Sequence, residues 1–133
     1  MSSATSFTIA DREDTPVDHT FVPNGFSADN SVAFFKNGGT YKIEDEKYSI
    51  SWRESAQNRK VRCKLEVPVV VEETINGVTV PKVVRTAYGE VTFTFAHTSS
   101  EQERDNVVGL LAASLASSVS VLNGTLVGDE AIW

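Results

Sequence analysis

Alternation of apolar and polar positions dominates the middle of the chain. Between 47 and 53, Tyr48, Ile50 and Trp52 fall on one side of an extended backbone, and Lys47, Ser49, Ser51 and Arg53 on the other. The same period of two runs through 60–71, where Val61, Cys63, Leu65 and Val67 share one side and Lys60, Arg62, Lys64 and Glu66 the other. It returns in 82–96, with Val91, Phe93 and Phe95 opposed to Tyr88, Glu90, Thr92 and Thr94. Each stretch predicts a strand with one face toward a core.

Turn chemistry punctuates the rest. A short strand over 6–10 ends at Asp11-Arg12-Glu13-Asp14-Thr15-Pro16, and its hairpin partner over 19–22 stops at Pro23-Asn24-Gly25. A strand over 32–35 leads to an Asn37-Gly38-Gly39 turn and a long strand over 41–53. Ser55-Ala56-Gln57-Asn58 makes the next turn, and 72–81, containing Asn76-Gly77, reads as a loop. The period then changes. Ser100-Glu101-Gln102-Glu103 is a capping box with acidic residues suited to the first helical turn. Val107, Val108, Leu111 and Leu115 recur at helical spacing, Ser117-Ser118 interrupts, and a second short helix follows over about 119–127. Strands followed by helices, without alternation of the two, predict an α+β fold with an antiparallel sheet.

Length adds one constraint: 133 residues make a single domain, divided here as a hairpin region over 1–26, a main sheet over 27–97 and helices over 99–127. No apolar run approaches membrane-spanning length. Met1-Ser2-Ser3-Ala4-Thr5 lacks the features of a signal peptide, so the expected compartment is a cytoplasm. The lone Cys63 leaves no intrachain disulfide and no multi-cysteine zinc site, and reads as a small core residue.

Charge changes the picture more. The net charge of −6 argues against a nucleic-acid binder. Yet five of the twelve basic residues, Lys47, Arg53, Lys60, Arg62 and Lys64, fall on the polar face of adjacent strands, interleaved with Ser49, Ser51, Thr92, Thr94 and Tyr88. Cations neutralise phosphates, hydroxyls bond base edges, and a tyrosine stacks on an unpaired base, which makes an RNA platform. An ordinary solvated face with β-favouring threonines fits the same pattern, and the pattern alone leaves both readings open.

Several segments in order resemble the coat proteins of single-stranded RNA bacteriophages, the leviviruses. They are Ser55-Ala56-Gln57-Asn58-Arg59-Lys60 with Lys64-Leu65-Glu66-Val67-Pro68, Val84-Arg85-Thr86-Ala87-Tyr88 with Val91-Thr92-Phe93-Thr94-Phe95, and Ser99-Ser100-Glu101-Gln102-Glu103-Arg104. Asp11-Arg12-Glu13 through Asp18-His19-Thr20-Phe21-Val22-Pro23 resembles the N-terminal hairpin of one member group. The resemblance runs nearly end to end. It implies an N-terminal β-hairpin, a five-stranded antiparallel sheet and two C-terminal helices. It further implies an interlocked homodimer with a ten-stranded sheet, built into an icosahedral (T=3) virion shell around single-stranded RNA and assembled in the bacterial host cytoplasm. The 72–81 loop would contact neighbours at the symmetry axes.

The resemblance also implies translational repression, with a dimer binding an RNA operator hairpin at the start of the replicase message. Val32, Ser49, Ser51, Arg62 and Lys64 fall where the family forms pockets for unpaired adenines. Tyr88 falls on its stacking tyrosine. Lys47, Arg53, Asn58 and Lys60 match its contacts to the RNA backbone. Two positions depart from relatives: Arg62 stands where some have a smaller hydroxyl residue, and Glu90 where others have Asn or Asp.

Rival readings find less support. There is no P-loop, nucleophile elbow or metal-ligand cluster, and His19 and His97 lie at strand ends without a motif, so no enzyme, cofactor, metal or small-molecule substrate is expected. Asp11-Arg12-Glu13-Asp14 reads as a solvated turn rather than a calcium loop. Asn123-Gly124-Thr125 fits a glycosylation pattern that a cytoplasmic protein would not use. A dimeric RNA-binding regulator that never assembles shells is the remaining alternative.

Overall fold

The computed structural model describes residues 4–38 and 42–132. Gly39 and Tyr41, which the sequence places in a turn and at a strand start, lie outside the described residues, as do Met1, Ser2 and Ser3.

Among the described residues, six strands follow one another as neighbours in chain order: β1 (Phe7–Ala10), β2 (Asp18–Phe26), β3 (Val32–Asn37), β4 (Glu46–Glu54), β5 (Asn58–Ile75) and β6 (Val78–Ala96). Two helices follow, α1 (Glu101–Ser114) and α2 (Ser120–Leu126). The expected five-stranded sheet corresponds to β2 through β6, and the N-terminal hairpin is continuous with it. The first half of β2 pairs with β1, Phe7 opposite Phe21, and the second half pairs with β3.

Three expectations are corrected. Pro23-Asn24-Gly25 does not end β2. The register steps from Pro23 opposite Phe35 to Phe26 opposite Ala33, so β2 carries one extra residue there, and Gly25 takes a φ of 96°. A bulge absorbs both the missing proline N–H and the positive φ. The strand expected to begin at 41 begins at Glu46, because Lys42–Glu44 forms a 3₁₀ turn in which Asp45 N–H donates to the Lys42 carbonyl. The loop expected over 72–81 is the tip of the β5–β6 hairpin. Asn76 and Gly77 have φ of 52° and 80°, the two positive values a two-residue hairpin turn requires. The Thr74 and Thr79 hydroxyls meet across the ladder at 3.3 Å, and Lys82 Nζ lies 3.9 Å from Glu73 Oε2.

The buried core lies at the N-terminal side of the sheet. Phe21 is 1% exposed and Phe35 9%. Phe7 stacks on Phe21 at 5.4 Å between centroids and meets Phe35 and Tyr48 edge-on at 5.1 and 5.4 Å. This aromatic knot spans β1 to β4. Its depth pushes the Tyr48 hydroxyl pKa upward, helped by a hydrogen bond with Cys63. Beside the knot, His19 bridges two carboxylates, Asp11 Oδ2 at 2.8 Å and Glu46 Oε1 at 2.6 Å, and Asn37 Nδ2 donates to the same Glu46 oxygen. Asp11 Oδ1 accepts the Val17 and Glu13 N–H groups, so the acidic turn is closed by its own backbone.

The chain divides into two compact units between Thr94 and Phe95. In the second, the capping box forms as read: Ser100 Oγ accepts the Glu103 N–H at 3.2 Å, and Glu103 Oε2 accepts the Ser100 N–H at 3.3 Å. The Arg104 guanidinium adds a 2.7 Å bond to the Ser99 carbonyl. Leu111 is half-buried, whereas Val107, Val108, Leu115 and Leu110 are exposed, Leu110 by 73%.

Candidate nucleic-acid interface

Strand register assembles the polar face row by row. Lys47, Ser49, Ser51 and Arg53 on β4 stand opposite Glu66, Lys64, Arg62 and Lys60 on β5. On the other flank, Val32 stands opposite Ser51 and Phe34 opposite Ser49. Because side chains alternate, all of these project to the same side of the sheet, and the aromatic knot falls on the other. Each central row therefore joins a hydroxyl to a cation: Ser49 to Lys64, and Ser51 to Arg62.

β6 extends two rows. Arg62 Nη2 bonds Glu90 Oε2 at 2.6 Å, and Lys64 Nζ sits 5.7 Å from the centroid of the Tyr88 ring. Tyr88 is 68% exposed, so its ring face is available for stacking. Lys64 also lies 3.5 Å from Glu66 Oε1.

An open depression of about 500 Å³ is lined by Val32, Ser49, Ser51, Arg53, Lys60, Arg62 and Lys64. All seven are residues singled out from the sequence. Val32 is held at its rim by the β2–β3 loop, where its N–H donates to Ser27 Oγ and its carbonyl accepts the Ser27 N–H. Asp29 organises that loop. Its carboxylate accepts the Ser27 hydroxyl, the Ser31 hydroxyl and the Ser31 N–H, which hold its pKa down at about 2. A second depression, of about 330 Å³, continues along the face past Arg53, Lys60, Asn58 and Thr94. Asn58 anchors the β4–β5 turn, accepting the Ser55 N–H at 2.8 Å and donating its own N–H to Ser55 Oγ at 3.2 Å.

Lys47 sits at the far end of the face, lining a smaller cavity of about 190 Å³ with Ser49, Lys64 and Phe34. Among the described residues, Lys47, Arg53 and Lys60 have no carboxylate in salt-bridge contact. Their charges remain uncompensated, so the face is locally positive on a chain of net charge −6.

The sequence reading missed Phe34. Its signal was present, since Val32 and Phe34 share a period-two face, but the adjacent Phe34-Phe35 pair conceals which ring is inside. It also left the Arg62–Glu90 contact unseen, because that contact joins residues 28 apart in the chain.

The family described as levivirus coat protein matches residues 2–133. The capsid protein of Pseudomonas phage PRR1 is 37% identical over 126 residues, covering 94% of this chain and 95% of that protein. The capsid protein of Escherichia virus Qbeta is 36% identical over 98 residues, covering 71% of this chain and 72% of that protein. Among solved structures, the virus-like particle of bacteriophage ESE058 superposes with a TM-score of 0.88 at 19% identity, covering 99% of this chain and 100% of that one. The bacteriophage GA capsid protein superposes with a TM-score of 0.78 at 24% identity, covering 93% and 94%. These relatives share the fold of an antiparallel sheet followed by two helices, and the chain belongs to the levivirus coat protein family: it is a structural capsid protein, not an enzyme.

Proposed function

We propose that this chain dimerises, assembles into an icosahedral shell around single-stranded RNA in the host cytoplasm, and represses replicase translation by binding an RNA operator hairpin on the polar face of its sheet. The observation that supports this most is the contrast between the two sheet faces. One presents paired hydroxyls and cations with three uncompensated charges and an exposed tyrosine. The other carries apolar residues that the single chain leaves open, Trp52 by 51%. Exposed apolar surface of this kind favours a protein partner, and a second copy is the partner a shell subunit has. The proposed dimer joins sheets edge to edge with helices crossing onto the partner, which would close the open face.

On the polar face, Ser49, Ser51, Arg62, Lys64 and Val32 form the base-binding depression. Tyr88 stacks, Glu90 accepts, and Lys47, Arg53, Asn58 and Lys60 contact the backbone.

Two measurements test the reading. Purified protein at neutral pH and mild salt should form closed particles visible by electron microscopy, with an absorbance ratio showing packaged nucleic acid. A species that stays dimeric would replace the shell with a non-assembling regulator. Lys60→Ala and Lys64→Ala should each lower RNA affinity and flatten its dependence on salt by about one unit of slope per lost phosphate contact. Unchanged affinity in both variants would remove RNA from this face.

A further inference from the structure

One row of the polar face has an aromatic ring at each end. Phe34 on β3 stands opposite Ser49 on β4, Ser49 stands opposite Lys64 on β5, and Lys64 Nζ lies 5.7 Å from the centroid of the Tyr88 ring. Tyr88 has a proposed role in stacking, whereas Phe34, 41% exposed, has none. A single exposed apolar ring needs no explanation. The surroundings of this one do.

Phe34 lines a cavity of about 190 Å³ together with Lys47, Ser49, Lys64 and, from β2, Asn24. The β2 bulge supplies that last wall. With Pro23 opposite Phe35 and Phe26 opposite Ala33, Asn24 and Gly25 fall beside Phe34. Lys36 follows Phe34 on the same side of β3 and stands directly opposite Lys47. Like charges in facing positions oppose folding. Among the described residues, neither lysine has a carboxylate in salt-bridge contact. The Glu66 carboxylate, which lines the same cavity, lies 3.5 Å from Lys64 Nζ instead. An anion between Lys36 and Lys47 would relieve their repulsion.

The cavity is continuous with the larger depression, since both are lined by Ser49 and Lys64. Phe34 and Val32 are two strand positions apart, about 7 Å along β3. One sugar–phosphate link spans that distance, so a single RNA strand can pass from one site to the other. Charge and continuity together favour a nucleotide over an apolar protein segment as the occupant.

We infer that the cavity beside the β2 bulge is a further nucleotide site, where an unpaired RNA base stacks on Phe34 and its phosphate lies between Lys36 and Lys47. The inference rests on the RNA-binding reading of the polar face and extends that face beyond Tyr88 and the depression. A phenyl ring has no hydrogen-bonding atom, so stacking on it accepts any base.

The probes are short fluorescein-labelled oligouridylate and oligoadenylate, titrated into purified protein freed of nucleic acid. Phe34→Leu keeps the apolar bulk and removes the π face. It should weaken both oligonucleotides about tenfold and leave the salt dependence unchanged. Lys36→Ala should flatten the salt dependence by about 0.7 of a unit of slope, the share of one phosphate on a single strand. Phe34→Trp should bind as the native protein does. Its added indole fluorescence should fall as unlabelled oligonucleotide is titrated in, beyond any change in the native protein, and this variant decides the matter if Phe34→Leu does not fold.

Native affinity in folded Phe34→Leu would overturn the inference, and so would an indole signal in Phe34→Trp that ignores RNA. A Phe34→Leu protein with altered self-association in the absence of RNA, and unaltered RNA affinity, would make the ring a protein contact instead. Native protein that binds neither oligonucleotide would overturn the RNA-binding reading itself.

Discussion

Two ends of one apolar face are finished differently. At the β1–β4 end, four aromatic side chains close on one another, and Phe21 is removed from solvent. At the β4–β6 end, Trp52 stands opposite Val61 yet stays half in water, and Ile50 is exposed as well. The same alternation produces both ends, so pattern is not what separates them. What separates them is a short strand, β1, that brings Phe7 onto Phe21, Phe35 and Tyr48. A chain of 133 residues closes one core well and has little left for a second, which favours burial against another copy.

The sharpest way to break this comparison is at the closed end. Phe21→Ala should cost about 3–5 kcal/mol, because the knot cannot collapse around the lost ring. Urea unfolding of the assembled and the dissociated protein checks it, and a cost below about 1 kcal/mol would mean that the knot is not the core. At the open end, Trp52→Glu should weaken self-association about thirtyfold or more, as loss of a buried interface aromatic does. Sedimentation over a dilution series reads this, and an unchanged dimer would place the interface elsewhere.

A smaller effect belongs to the tip of the β5–β6 hairpin. Gly77→Val should cost roughly 1–2 kcal/mol, the penalty for a left-handed backbone in a branched residue. A Cβ there would meet nothing within 4 Å, so the cost is conformational rather than steric. Thermal unfolding of Gly77→Val beside Gly77→Asn separates the two causes, since asparagine tolerates that backbone better.

The smallest effect is a pH dependence at the closed end. The Asp11 and Glu46 carboxylates raise the His19 pKa above its ordinary 6.5, through hydrogen bonds first and charge second. Protonated His19 therefore contributes stability that is fully present below about pH 6.5 and is lost as pH rises through the elevated folded value. The unfolding midpoint should decline as pH rises above about 6.5 in the native protein and stay flatter in His19→Gln. Identical profiles would show that the bridge does not couple to folding.

Much of this architecture was legible in local pattern. Strands β4 and β5 could be read from period two, and the start of α1 from Ser100 and Glu103, because both signals lie within a few residues of one another. The ends of elements were harder. The polar run Glu72-Glu73-Thr74 hid the continuation of β5, since an exposed hairpin tip has no buried face to impose alternation. Pro23-Asn24-Gly25 looked like a stop because its neighbours' register was not visible, and only pairing with β3 shows that a bulge accommodates it.

By itself, the sequence determined which side chains share a face: Lys47, Ser49, Ser51 and Arg53 on one strand, Lys60, Arg62 and Lys64 on the next. That follows from backbone geometry, which repeats every two residues whatever the rest of the chain does. Only the tertiary structure decided which of them meet. Ser51 beside Arg62, Arg62 bonded to Glu90, and Lys64 over Tyr88 are products of strand register. Register depends on the whole sheet closing its hydrogen bonds and apolar contacts together, and no local window of residues carries it.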